Sequence, residues 1–423
     1  MKRFILVSLC VVFSLVAMVE VVHAQNKKKL TFMYMRHWVP EADDTVQKRV
    51  EEWGAKNGVD VQFDKIVEKD FEFKITVAVQ NKTGPDISMF RTSLPILYQD
   101  ALIDVSDIAQ GLISKHGPFY PANKAQTFTG QRWVAIPWYT TVPAWMYRVD
   151  ALRKANVNVP DTYDDVPKVA KAIADPARGF YGFGNAVSRT RDGVLFVQSV
   201  LWAYGMKLAS EDGKTILFNS PETLAGLQYI VDLSRVHKIQ PAGVTGWDDA
   251  ANNKAWAAGQ LGMTTNAASI YYQAKKDNPE LAANTGHSKW PRGPAGRATT
   301  VDTYSFAIMK YSQNQELAKD LLRYLTTDES YTAYYTAGQG FQNPTLAPFT
   351  KLQVYADPKL QPINEILPDG RVSGWPGPVT RGAAEVEVQG VMTDMVTRVL
   401  VDNLTPKQAL DEATSRINGI YAK

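Results

Sequence analysis

Side chains able to carry out covalent or metal chemistry are sparse in this 423-residue chain. Its one cysteine, Cys10, lies in an apolar N-terminal stretch, and His37, His116, His237 and His287 are far apart in sequence. That spacing offers no local zinc motif and no thiol site. There is no Gly-x-Ser-x-Gly elbow, no His-Glu-x-x-His and no phosphate loop. A secreted glycosidase would need two carboxylates about 5–10 Å apart. The nearest pair in sequence is Asp248-Asp249, and adjacent helical side chains do not face each other. They read as a helix cap and a solvated acid.

What the chain does carry, beside apolar segments, is a set of rings and planar polar groups. His37 and Trp38 follow one apolar run, Arg91, Thr92 and Ser93 follow another, and Trp138 and Tyr139 flank a proline. Arg189 and Arg191 lie in a polar stretch, and Asn266 to Ser269 follow a short apolar segment. Flat aromatic surface stacks on the C–H faces of a sugar, and Arg, Asn and Asp hydrogen-bond its hydroxyls. The same arginines could pair bidentately with a carboxylate or phosphate, so an acidic or phosphorylated polyol stays open, as do a polyamine and a peptide.

These residues need elements to hold them. Leu30–Met35 reads as a buried strand, Val46, Val50 and Trp53 recur at helical spacing before Asn57-Gly58, and Val59, Val61 and Phe63 alternate. Strand–helix–strand is the unit of parallel sheets. Ligands of open parallel sheets bind beyond the carboxyl ends of the strands, which singles out His37, Trp38, Arg91, Thr92 and Ser93. Residues 130–148 hold two extended segments joined at Pro137–Val142. One reading puts each in a different lobe, with Trp138, Tyr139 and Trp145 on the floor of a cleft; the other makes them one buried sheet. Gly286–Gly296, rich in Pro and Gly, reads as a second crossing. Phe180–Gly184 reads as strand-like, Ser220-Pro221 as a helix start, and Thr405-Pro406-Lys407-Gln408 as a capping box. Trp53, Trp133 and Trp256 lie on apolar faces and are expected in the core, while Trp202 fits either role.

Met1-Lys2-Arg3, the apolar run Phe4–Val19 and Val22-His23-Ala24 read as a secretory signal peptide cleaved after Ala24. A retained membrane anchor fits less well, because Glu20 and His23 interrupt the run. Removing residues 1–24 takes away Cys10, Lys2, Arg3 and Glu20, so the net charge of +3 becomes +2 and no disulfide can form. So small a charge argues against nucleic acid and against a polybasic membrane patch. A chain this long is expected to divide into more than one core.

The order of several short motifs resembles the extracellular solute-binding proteins of ABC importers, in the branch that includes the maltose-binding protein. They are Pro85-Asp86-Ile87, Leu102-Ile103-Asp104-Val105, Ala135-Ile136-Pro137, Tyr147-Arg148-Val149-Asp150 and Pro160-Asp161-Thr162. Phe218-Asn219-Ser220-Pro221, Ala257–Met263 and Glu316-Leu317-Ala318-Lys319 follow. The resemblance implies an α/β, type II two-lobed periplasmic binding protein fold. Its lobes would be 25–138 with 290–328, and 139–289 with 329–423, joined by hinge crossovers. It implies a periplasmic, non-lipidated monomer that is not an enzyme and needs no cofactor or metal. Its partners would be a small solute, first of all a carbohydrate, and a membrane permease. The resemblance adds the segment Trp375–Gln389, with Trp375 and Arg381, to the ligand-contacting loops. Asn266–Ser269 lacks the tryptophan that maltose binders carry there, which argues against maltose.

Overall fold

The computed structural model describes residues 28–422; the expected signal peptide at 1–24 lies outside the described residues. β1 (Lys28–Met35) leads through a short loop to α1 (Pro40–Asn57), which has a proline in its first turn and acidic residues beside it. Gly58, at φ 65°, ends the helix in the left-handed conformation that glycine takes without steric cost. Val46, Val50 and Trp53 form the buried stripe of α1, as their spacing predicts. β2 (Val59–Ile66) then runs parallel to β1, α2 (Glu68–Asn81) covers the sheet, and β3 (Ile87–Arg91) pairs parallel to β1 on its other side. β3 is buried along its whole length, Ser88 and Arg91 included.

β4 (Ile136–Thr141) completes this first sheet, and β5 (Ala144–Arg148) opens a second one. The chain therefore passes between sheets at Val142-Pro143, and the one-sheet alternative is excluded. α3 (Arg191–Ala203), α4 (Pro221–Arg235) and α5 (Ala251–Ala257) build the second layer around β6 (Met263–Asn266), α6 (Ser269–Asp277) and β7 (Thr285–Ser288). The chain then returns as β8 (Asp302–Ile308), antiparallel to both β3 and β4. Strand orders are β2-β1-β3-β8-β4 and β6-β5-β7. α7 (Gln315–Leu325), α8 (Asp328–Ala337), α9 (Arg381–Val388), α10 (Val391–Leu400) and α11 (Pro406–Tyr421) follow.

Two hydrophobic cores result. One gathers β1, β3, β4 and β8 with Trp53, Trp133, Trp138 and the α8 tyrosines Tyr331, Tyr334 and Tyr335. The other gathers Trp145, Trp202, Trp256 and Trp290 with the inner faces of α3, α4, α10 and α11. Ser220 caps α4, and Thr405 with Gln408 forms the capping box of α11. Phe180–Gly184 differs from expectation: it forms only isolated bridges, Asp175 with Phe180 and Tyr181 with Leu261.

The crossings lie against one another. The Trp290 indole N–H donates to the Pro143 carbonyl at 2.8 Å, and Thr140 and Asn343 exchange backbone hydrogen bonds of 2.8 Å. Trp145, expected on the cleft floor, is instead fully buried and face-stacked on Phe183 with centroids 5.1 Å apart. Period-2 alternation in β5 sends its ring into the second core.

Candidate functional site

Between the two sheets lies a narrow cleft with an internal volume of about 40 Å³. A larger hollow, about 690 Å³, lies on the second core's side around Arg148, Lys154 and Arg178 and takes no residue from the first sheet.

From the first sheet come Trp38 beyond β1, Glu68 at the start of α2, Thr141 at the end of β4, and Asp302 and Tyr304 of β8, with Phe341 beside them. Trp38 is 39% exposed, unusual for an indole, and offers open stacking surface. Tyr304 is face-stacked on Tyr139, 4.3 Å between centroids and 6° apart, and the edge of the His37 ring meets both. His37 donates its backbone N–H to Asp43 at 2.9 Å and pairs its Nδ1 with the same carboxylate at 2.9 Å. His37 and Tyr139 thus form a second layer that fixes Tyr304.

The second sheet supplies Arg191 and Asp192 from the first turn of α3, Asp249, Asn253 of α5, and Asn266 and Ser269 around β6 and α6. The α3 start is capped by Thr190, whose side chain accepts from the Gly193 N–H. The Asp192 N–H donates to Asp249 at 2.8 Å. The Asp192 carboxylate accepts from Asn252 at 2.9 Å and Asn266 at 3.3 Å, while the Ser269 hydroxyl donates to the Asn266 side-chain Oδ1 at 2.9 Å.

Both arginines at the cleft are already engaged. Arg91 reaches Glu68 and Glu72 at 2.5 Å each. Arg191 contacts Asp302 (Nε to Oδ2 2.7 Å) and Glu387 at 2.7 Å. Glu387 in turn accepts from Ser93 at 3.0 Å and Ser373 at 2.7 Å, a buried tie across the crossings. Burial raises the Glu68 carboxyl, Arg91 only partly offsets this, and Asp249 adds repulsion. Glu72 goes the other way, held down chiefly by Arg91. Burial, then Asp249, raises Asp192 well above the ordinary range.

The structure thus brings together Trp38, Arg191, Asn266 and Ser269 at the cleft, with His37, Arg91 and Tyr139 directly behind it. Four expected residues are placed elsewhere. Thr92, at φ 53°, is buried and donates its backbone N–H to Thr303. Trp138 is enclosed by Phe306, Tyr331 and Tyr334 in the first core. The Trp375 ring is covered by the Arg371 guanidinium at 3.9 Å. Arg381 pairs with Asp100 on the surface. Glu68, Asp192, Asn253, Asp302, Tyr304 and Phe341 were not singled out from sequence, and Asp249 was assigned to a helix start. Carboxylates that open helices are ordinary capping residues, and only convergence in space distinguishes these. The strand-end rule applied to β8 reversed, since β8 runs antiparallel, is the one signal that could have found Asp302.

The family profile described as bacterial extracellular solute-binding protein matches residues 39–332. A probable ABC transporter-binding protein of Deinococcus radiodurans is 27% identical over 343 residues, 78% of this chain and 79% of that one. Among solved structures, an ABC transporter solute-binding protein from Thermotoga lettingae bound with α-D-tagatose superposes with a TM-score of 0.83. It shares 23% identity, over 93% of this chain and all of that one. Maltose-bound MalE3 of T. maritima gives 0.77 and 24% over 93% and 99%. These likenesses show the type II two-lobed fold. With the profile spanning most of both sheets, the chain belongs to the bacterial extracellular solute-binding proteins, the binding components of ABC import systems.

Proposed function

We propose that the chain captures a mono- or short oligosaccharide in the cleft between its sheets and delivers it to a membrane permease. The observation that carries this reading is the lining itself: Trp38, Tyr304 and Phe341 offer ring surface, with Asn253, Asn266, Ser269 and carboxylates beside them. That pairing suits C–H faces and hydroxyls together. The tagatose- and maltose-bound neighbours support the same class. A ligand touching both walls favours the closed arrangement, in which Trp38, Arg191, Asn266 and Ser269 contact it directly. The protein acts as a monomer in the periplasm and releases its cargo chemically unchanged. No helix among the described residues is long and apolar enough to cross a membrane.

Engagement of Arg91 and Arg191 by four carboxylates disfavours the acidic or phosphorylated polyol, since no guanidinium fork is left for the ligand.

The test is thermal unfolding of residues 25–423 against neutral sugars, polyols, sugar acids, sugar phosphates, amino acids and short peptides. Ligand at a hundred times its Kd adds about 2.7 kcal/mol, or a shift of about 5–10 °C for lobes of this size. A shift confined to sugars, and weakened tenfold or more in affinity by Trp38→Ala, is the expected result. Shifts only with peptides or amino acids would replace the reading, and release of a hydrolysed sugar would make the protein an enzyme.

A further inference from the structure

The charge in the cleft is unbalanced. Six carboxylates, Glu68, Glu72, Asp192, Asp249, Asp302 and Glu387, lie in or directly behind it, against two guanidiniums. Arg91 serves Glu68 and Glu72, and Arg191 serves Asp302 and Glu387. Asp192 and Asp249 have no cationic partner among the described residues; they are held only by amide and backbone N–H groups. His37 does not alter this balance, because its ring is paired with the Asp43 carboxylate at 2.9 Å.

A second observation points to a ligand. Tyr304 is 5% exposed and lines the cleft, yet its hydroxyl makes no hydrogen bond among the described residues. The hydroxyl opens on the cleft, where a bound polar group would supply the partner that the protein does not. Glu68 stands in the same lining as Tyr304, Asp192 and Asp249.

Resting on the carbohydrate reading, we infer that the preferred solute carries a protonated amine on its polyhydroxyl frame, held between Glu68 on one wall and Asp192 with Asp249 on the other. An ammonium donates three hydrogen bonds and accepts none, so it fits a site rich in carboxylate and amide oxygens. It also offsets the repulsion between Asp192 and Asp249, which a neutral hydroxyl cannot do. The negative surplus attracts such a solute from a distance and repels its anionic counterpart.

The experiment is calorimetric titration of residues 25–423 with matched sets: glucose, glucosamine and glucuronic acid; galactose, galactosamine and galacturonic acid; and chitobiose beside chitosan disaccharide. In the disaccharide pair the neutral member is N,N′-diacetylchitobiose and the amine is its deacetylated form; all are run at pH 7, in low salt and in 0.5 M salt. Within the set that binds, the amine is expected to bind at least tenfold tighter than the neutral sugar, with the preference shrinking in high salt. The acid is expected not to bind. Asp249→Asn keeps an acceptor for the Asp192 N–H and is expected to bring the ratio of amine to neutral affinity, read within the variant, close to one; Glu68→Gln is expected to reduce that ratio. Equal affinity for amine and neutral sugar, or a preference that survives both variants, overturns the inference and leaves the carbohydrate reading intact. Binding by none of the sugars overturns both.

Discussion

Single residues in this chain divide into those whose role follows from local pattern and those defined by distant neighbours. Trp53, Trp133 and Trp256 are core residues, as their apolar faces predict, and all are buried. Trp138 misleads because its enclosing rings, Tyr331 and Tyr334, come from α8, nearly two hundred residues later. His287 makes a prediction at this scale. It is buried in β7 against the edge of Tyr271, and burial pushes its pKa down to about 4 from 6.5. The unfolded chain therefore binds more protons between those values, so stability is complete above about pH 6.5 and falls as pH drops toward 4. At about 1.4 kcal/mol per pKa unit the loss across that window is about 3 kcal/mol. Urea unfolding at pH 7.5, 5.5 and 4.5 checks this: the acid loss in His287→Gln is expected to be smaller by about that amount. Parallel pH profiles for the two proteins would show that His287 does not carry the effect.

Elements were largely legible, because strand–helix–strand periodicity and helix caps are local signals. The cleft was half legible for the same reason. Residues beyond β1 and around β6 follow from the strand-end rule, while Asp192 and Asp249 meet only when the start of α3 docks on the loop before α5. The start of α3 also depends on one glycine. A Cβ at Gly193 would sit 2.1 Å from the Ser188 carbonyl oxygen, and that loop is fastened by the Ser188 hydroxyl donating to the Trp247 carbonyl at 2.7 Å. Gly193→Ala must therefore push the 185–190 loop away from α3 and displace Arg191 and Asp192. We expect about 1–3 kcal/mol of destabilisation together with at least a tenfold loss of ligand affinity. The comparison is Gly419→Ala on α11, where a Cβ meets nothing within 4 Å and replacing glycine in a helix adds up to about 1 kcal/mol. Both variants are read by chemical unfolding and by titration with a sugar the protein binds. A Gly193→Ala protein that binds as the wild type does would detach the helix start from the site.

At the scale of the whole molecule, the two cores meet at the crossings and again at the lip of the cleft. There Glu41, in the first turn of α1, accepts from the Tyr272 hydroxyl at 2.5 Å and faces Lys276 at 3.3 Å. Tyr272 and Lys276 belong to α6, yet the Tyr272 ring packs into the first core. Nothing in the sequence links residue 41 to residues 272 and 276; the contact exists only because the sheets face each other across the cleft. A contact present in the closed arrangement and broken on opening biases the equilibrium toward closure, and apparent affinity scales with the closed fraction. Tyr272→Phe removes the hydroxyl but keeps the ring, and Glu41→Gln removes the charge. Each is expected to weaken ligand binding severalfold, chiefly by faster release, and to enlarge the radius of gyration of the unliganded protein in small-angle scattering. The Tyr272 hydroxyl, before Lys276, holds the Glu41 carboxyl below its usual range. Its contribution is thus present above the ordinary glutamate range and is lost as pH falls through the lowered value. Acid should expand the wild type toward the dimensions of Glu41→Gln, while the variant, already lacking the carboxylate, should change less. Scattering curves that coincide for wild type and both variants at neutral pH, with unchanged release rates, would mean the lips touch without holding the lobes together, and closure would then rest on the ligand and the Arg191–Asp302–Glu387 tie at the crossings.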